Sequence, residues 1–375
     1  MAVRWTAMWA VVAVACTATD PNNVHVYPGL AAEVAGADAA ADADADAAAD
    51  AVADAVAVAV ADAAAVADAA AVADAVAVAD AVADAVADTA PDIPPAAKLL
   101  PASKQFFDLQ NAAFPAKPGQ PSVLVYVPAN FDPTPPIAVV VYLHGWYNCI
   151  ANCAGDTDTV CTPGSPARKA SKIISQFEAG KRNAVLVIPE GKFDVGAGDP
   201  GNFGKANGFS LFMGEVLQKM APTLGALTTA DIGHVVLCSH SGAYQPTAAI
   251  AQLGGVPVHE IWLLDSLYAE QAAFKAWMSQ DLKLLAGNDP VRRFFDVYTD
   301  NGGTLANSQA FAVQVAALLP KDSTALVNDA TTATWPQPTY HHGALFKHSS
   351  LSHDGVTQYY FGQLVQSAGQ IGVRL

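Results

Sequence analysis

From about Lys98 onward, apolar residues fall into short unbroken runs. These are "SVLVYVPA" (122–129), "IAVVVYLHG" (137–145), "AVLVIPEG" (184–191), "HVVLCS" (234–239), "EIWLLD" (260–265), "RFFDVYTD" (293–300) and "STALVND" (323–329). Val, Leu and Ile dominate them, with little polar alternation. Strands covered on both faces, as in the middle of a parallel sheet, read this way. Between the runs lie segments with helical spacing: "ARKASKIISQFEAG", "GFSLFMGEVLQKMAP", "YQPTAAIAQLGG", "YAEQAAFKAWMSQDL" and "SQAFAVQVAALLP". Strand and helix therefore alternate. The pattern predicts an α/β fold on a mostly parallel sheet with helices on both faces. A Pro-rich stretch alone separates the first two runs, which predicts a hairpin between them.

Before Lys98 the pattern changes. "MAVRWTAMWAVVAVAC" carries one basic residue, Arg4, then a short apolar stretch and a small-residue approach to Cys16. This predicts a secretory signal, too short to span a bilayer. "AVAC" resembles a bacterial lipobox, in which Cys16 would be lipidated and become the mature N-terminus; Ala13 stands where leucine is usual. No other segment has the unbroken apolar length of a membrane span, so this anchor is the one membrane contact expected. From Ala35 to Ala87 every odd position is alanine, alternating with Asp, Val, Ala and a single Gly. No large side chain is available there to build a core, so the stretch reads as a low-complexity spacer. The expected organisation is a signal and lipobox over 1–16, a spacer over 17–97 and a folded domain over 98–375. The chain is expected to be exported, to the cell envelope or beyond.

Charge follows the same division. The formal net charge is −16, yet residues 1–97 hold 15 acidic residues and one Arg, while the remainder holds 20 acidic and 18 basic residues. The excess belongs to the spacer. A nearly neutral domain without a basic stripe excludes nucleic acid as a partner. The domain is expected to be a monomer.

Of the five cysteines, Cys16 belongs to the signal and Cys238 lies within an apolar run, where a small buried residue suffices. Cys149, Cys153 and Cys161 cluster in "YNCIANCAGDTDTVC". In an exported chain one disulfide among the three is expected, with the pairing left open. A zinc site is the rival reading; it needs a fourth ligand and a spacing nearer C-x2-C.

In sheets of this kind, functional residues gather at the carboxyl ends of the strands. Those ends carry His144-Gly145-Trp146, Ser239-His240-Ser241, Asp265 and Asp300, with His353 in a late loop. Serine, then acid, then histidine is the order that resembles the α/β-hydrolase family. The resemblance runs from about residue 120 to the end. Its best motif is "SHSGA" after "VVLC", where the family has G-x-S-x-G; Ser239 and Ala243 replace the flanking glycines. Both are small enough for the close approach of strand and helix around a strained nucleophile. The resemblance implies that Ser241 is that nucleophile. It also implies, from "VVYLHGW", that the Trp146 and Gly242 N–H groups bind the oxyanion, with Gly145 permitting the turn. The bland alternatives are a structural strand-to-helix turn and a Gly-terminated strand.

Four late histidines compete for the base: His341, His342, His348 and His353. "SLSHDGVTQYYFGQLV" places His353 just before a final amphipathic helix, as the family does, so it is preferred. The acid is open between two positions. Asp300 follows the seventh strand, the family's usual place, but begins "DNGG", where turn chemistry alone explains an Asp. Asp265 follows "EIWLL"; a carboxylate in such apolar surroundings needs a partner, and an imidazolium would be one. The burial argument favours Asp265. The resemblance implies a serine hydrolase acting on small or polymeric carboxylic esters, without metal or organic cofactor. The rival reading is a catalytically silent member of the fold that binds a ligand or cell-surface partner.

Overall fold

The computed structural model describes residues 98–117, 119–192, 198–280, 292–321, 323–329, 343–368 and 370–374. Cys16, the spacer, His341 and His342 lie outside these residues. The strands are β1 (Ser103–Phe107), β2 (Val123–Val127), β3 (Ile137–Leu143), β4 (Ala184–Pro189), β5 (Ile232–His240), β6 (Glu260–Leu264), β7 (Arg293–Thr299), β8 (Leu326–Asp329) and β9 (Ala344–Ser349). They form one sheet in the order β1-β2-β4-β3-β5-β6-β7-β9-β8. β2 runs antiparallel to β1 and β4; every other neighbouring pair is parallel. The helices are α1 (Ile150–Ala154), α2 (Ile173–Gly180), α3 (Gly208–Leu224), α4 (Tyr244–Leu253), α5 (Gln271–Ser279), α6 (Leu305–Ala316) and α7 (Gly355–Ser367). No helix among the described residues is long and apolar enough to cross a membrane.

The unbroken apolar runs have the cause expected of them: the sheet is covered on both sides. α3, α4, α5 and α6 bury Phe209, Phe212, Ile250, Phe274, Trp277 and Phe311 against one face. α1, α2 and α7 bury Ile150, Phe177, Phe361 and Leu364 against the other. Alternate residues of one strand serve opposite layers, as Val139 and Val140 of β3 do. α7 is also tied to α2 by polar contacts. Gln176 Nε2 donates to Thr357 O at 2.9 Å, and Gly362 N–H donates to Gln176 Oε1 at 3.0 Å. A Cβ on Gly180 would stand 2.4 Å from Val365 Cγ1, so a residue without a side chain is what lets the two helices close up.

The predicted hairpin does not form. β4 lies between β2 and β3, because the crossover through α1 and α2 returns the chain parallel to β3. The Pro-rich connection spans the start of β4 instead and is fastened there: Asp132 N–H donates to Asn183 Oδ1 at 2.8 Å, and Asn183 Nδ2 donates to Asp132 O at 3.1 Å. Two strands carried no apolar run to announce them. β1 is an edge strand with alternate exposure, and β9 reads "ALFKHS", with a buried Lys347 whose ammonium pairs with Asp329 at 2.8 Å. β9 inserts between β7 and the run predicted last, which is thereby pushed to the sheet edge as β8.

Among the cysteines, Cys149 and Cys161 form a disulfide, while Cys153 and Cys238 are buried thiols. Oxidation of two of the three clustered sulfurs removes the thiolates that the zinc reading needed.

Candidate active site

β5 ends at His240, and a short turn over Ser241–Ala243 leads into α4. Ser241 occupies the left-handed region, with φ 55°. A non-glycine residue there is strained, and the surrounding structure must hold it. It does so through a hydroxyl chain. Ser239 Oγ lies 3.0 Å from Ser266 Oγ, whose hydroxyl donates to Ser241 O at 2.7 Å. Ser239 and Ala243 are 0% and 3% exposed, so their small size is used. The serine that replaces a glycine also supplies a link that glycine could not.

Two further ends converge on the turn. Asp265, at the carboxyl end of β6, is fully buried and itself left-handed, with φ 47°. His353, between β9 and α7, places Nδ1 2.6 Å from Asp265 Oδ2. The remaining lone pairs of Asp265 are filled from the β7–α6 connection. Thr299 Oγ1 donates at 2.7 Å and Thr299 N–H at 3.2 Å, and the Thr304 hydroxyl donates as well. Burial alone would raise the Asp265 pKa. Hydrogen bonds from His353, Thr304 and Thr299 outweigh it and hold the carboxyl below its ordinary value.

Two aromatic rings pack against His353. The His240 ring lies 4.6 Å away, centroid to centroid, and Tyr268 meets it edge-on at 6.3 Å. His240 Nε2 lies 3.0 Å from the His353 carbonyl, which fixes the proton on that nitrogen. Burial, then the neighbouring His353, pushes the His240 pKa down to about 4, so His240 packs against the other ring without adding charge. No hydrogen bond joins Ser241 Oγ to His353 among the described residues; catalytic contacts of this kind often close only on a bound substrate.

Asp300, the alternative acid, is placed elsewhere. It is exposed, and its Oδ1 lies 2.8 Å from Nε2 of His348, not of His353. The "DNGG" turn has a different use: it folds Gly302 over the buried acid, where a Cβ would stand 1.7 Å from Asp265 Oδ2. Thr299 and Thr304, on either side of that turn, reach the carboxylate. Those two threonines, Ser266 and Tyr268 carried no signal in the sequence, since each acts through contacts made only in three dimensions.

Gly145 and Gly242 lie where the oxyanion reading requires close approach. A Cβ on Gly145 would stand 2.6 Å from Ser241 Cβ, and one on Gly242 would stand 1.9 Å from Trp146 Nε1. The Trp146 indole thus lies on the residue after the serine, 42% exposed. Gly242→Ala is expected to displace that indole outward with little change in thermal stability, and to lower turnover about tenfold through the disturbed loop. Adding Trp146→Ala should then recover part of the loss. Tryptophan fluorescence and ester kinetics on the single and double variants measure both effects. A small open cleft lies beside Gly242, lined among others by Trp146, Lys192, Asp199 and Pro246.

One group among the described residues brings three metal-ligating side chains within 4.8 Å of one another: His240, His353 and Asp354. Two of them are already engaged, His353 with Asp265 and His240 with the His353 carbonyl.

The chain matches no protein-family model and no curated protein. Among solved structures it is similar to the feruloyl esterase module from Clostridium thermocellum, with 12% identity over 72% of this chain and 88% of that one and a TM-score of 0.41. It is also similar to an S-formylglutathione hydrolase from Staphylococcus aureus, with 8% identity over 72% and 96% and a TM-score of 0.37. A fluorophosphonate-binding serine hydrolase of the same organism gives 9% identity over 72% and 98% and a TM-score of 0.39. Such distant likenesses decide nothing about chemistry. Strand order, helices on both faces and a serine in a left-handed turn after the fifth strand identify the fold as that of the α/β-hydrolases.

Proposed function

We propose that the chain is a serine hydrolase that cleaves carboxylic esters. The observation that carries the reading is the 2.6 Å contact between His353 Nδ1 and the buried Asp265, beside a serine held at φ 55°. With Nδ1–H committed to the carboxylate, the other nitrogen of His353 is left as a base. In the proposed reaction Ser241 Oγ attacks the acyl carbon and His353 takes its proton. His353 then protonates the departing alkoxide, and a water molecule, deprotonated by the same nitrogen, releases the acid. Asp265 stabilises the imidazolium and holds its tautomer. The Trp146 and Gly242 N–H groups receive the negative oxygen of each tetrahedral intermediate; one such donor is worth roughly 3 kcal/mol. Export and anchoring through Cys16 belong to the same proposal and would place the hydrolase outside the cytoplasm.

Labelling with a fluorophosphonate tests the reading. The wild-type chain is expected to react at one site, and Ser241→Ala to lose both labelling and ester turnover. Undiminished labelling or turnover in Ser241→Ala overturns the assignment. A folded wild type that neither labels nor hydrolyses esters of graded chain length would be a silent binding protein on the same fold.

A further inference from the structure

Gly145 and Trp146 share one peptide group, and a trans peptide points its C=O and N–H in opposite directions. Whatever holds the Gly145 carbonyl therefore aims the Trp146 N–H. That carbonyl lies 2.8 Å from His144 Nδ1 and also receives the Asn148 N–H at 3.4 Å. The peptide lies against the nucleophile, since a Cβ on Gly145 would stand 3.2 Å from Ser241 Oγ.

Behind His144 stands a second charged group. Its Nε2 lies 2.7 Å from Glu190 Oε1, at the end of β4, and both residues are buried. The other oxygen, Glu190 Oε2, accepts the Ile150 N–H at 3.0 Å, where α1 begins. The Gly191 N–H also lies 2.9 Å from Nε2, which would suit an unprotonated nitrogen. The carboxylate contact is shorter and charge-assisted, so it decides the state: Nε2–H donates to Glu190 and Nδ1–H to the Gly145 carbonyl. Burial opposes that charge, but the Glu190 carboxylate outweighs it and raises the His144 pKa above its ordinary value.

We propose that His144 and Glu190 are positioning residues, whose ion pair holds the Gly145–Trp146 peptide with its N–H toward the substrate oxygen at Ser241. The proposal rests on the serine-hydrolase reading above. Two effects combine. The imidazolium keeps the peptide from turning over, and by pulling on the carbonyl it makes the opposite N–H a better donor. Neither residue touches substrate. Their influence belongs to the transition state, where the oxygen is negative, and not to the ground state.

The test is kinetic, with Ser241→Ala run beside it. Glu190→Gln keeps the shape of the side chain and its acceptor oxygen but removes the charge. It is expected to lower kcat about 10- to 100-fold, less than outright loss of a donor, with KM within twofold of wild type. An ester-like trifluoromethyl ketone, whose adduct with Ser241 carries an oxyanion, should lose affinity in parallel with kcat/KM. His144→Asn keeps a donor near the place of Nδ1 and is expected to retain several times the activity of His144→Ala. That pair of variants serves equally if Glu190→Gln does not fold. Folded variants with kcat within threefold of wild type, or a fall in kcat with unchanged ketone affinity, overturn the proposal. If Ser241→Ala also retains turnover, the serine-hydrolase reading has failed; if it is inactive, only the positioning role has.

Discussion

Asp265→Asn is expected to leave a folded protein that turns over esters about 10⁴-fold more slowly than wild type, the scale seen when an orienting aspartate is neutralised in a serine protease. Every group around this carboxylate is a donor: the His353 ring, the Thr299 N–H and hydroxyl, and the Thr304 hydroxyl. An amide nitrogen placed there faces donors with a donor. The least costly remedy is to set the amide oxygen toward Thr304 and the Thr299 N–H and leave NH2 toward His353 and the Thr299 hydroxyl, which can accept. The histidine then accepts at Nδ1 and carries its proton on the nitrogen that should receive the serine proton. Asp300→Asn is expected to keep most activity, because Asn serves the same turn and the exposed pair with His348 is worth little. Single-turnover kinetics with thermal melts distinguishes lost chemistry from lost folding. Full activity in Asp265→Asn, or inactivity in Asp300→Asn alone, would sink this assignment.

Asp296→Asn is expected to change the pH dependence of stability more than any other single substitution in the sheet. Asp296 lies in the middle of β7, opposite Leu263 of β6 and Phe346 of β9, fully buried, and neither carboxyl oxygen has a hydrogen-bond partner among the described residues. Burial pushes its pKa up to about 8; the nearby Ser308 hydroxyl opposes the shift and the charge of Asp265 adds to it. The native state therefore keeps a proton that the unfolded chain releases near its ordinary value of 3.8. Stability from this group is full below that value and is lost as pH rises toward about 8, by about 1 kcal/mol per pH unit. The asparagine variant has no proton to lose. Its denaturant midpoints should fall less between pH 5 and 8, so that it gains on wild type as pH rises. Parallel curves for the two proteins would refute a neutral Asp296.

The layered sheet was legible because burial on both faces leaves an unmistakable trace, as "IAVVVYLHG" and "HVVLCS" show. Pairing was less legible. An apolar run states that a strand is covered, not which strand lies beside it, so β4 between β2 and β3 could not be read. β9 escaped because Lys347 and His348 break its run, though the lysine is buried against Asp329. At the site, residues at strand ends were legible through their spacing: Ser241 after β5, Asp265 after β6, His353 before the last helix. The choice of Asp265 rested on its apolar setting, and the structure gives that carboxylate four donors. Glu190 was not legible, since "IPEG" reads equally well as a strand running into a turn.

The chain order of these residues bears on when the molecule can act. His353 lies 88 residues beyond the acid it bonds and farther still from the serine. It is held in place by α7, which is fastened to α2 through Gln176 and followed by Arg374, whose guanidinium donates to Ala129 O at 2.7 Å and pairs with Glu178 at 2.9 Å. A chain synthesised as far as Ser241 does not yet hold His353. Until α7 has been made and has folded back, nothing seats the imidazole beside Asp265. If Ser241 and His353 act together as proposed, their meeting waits on the folding of α7 against α2.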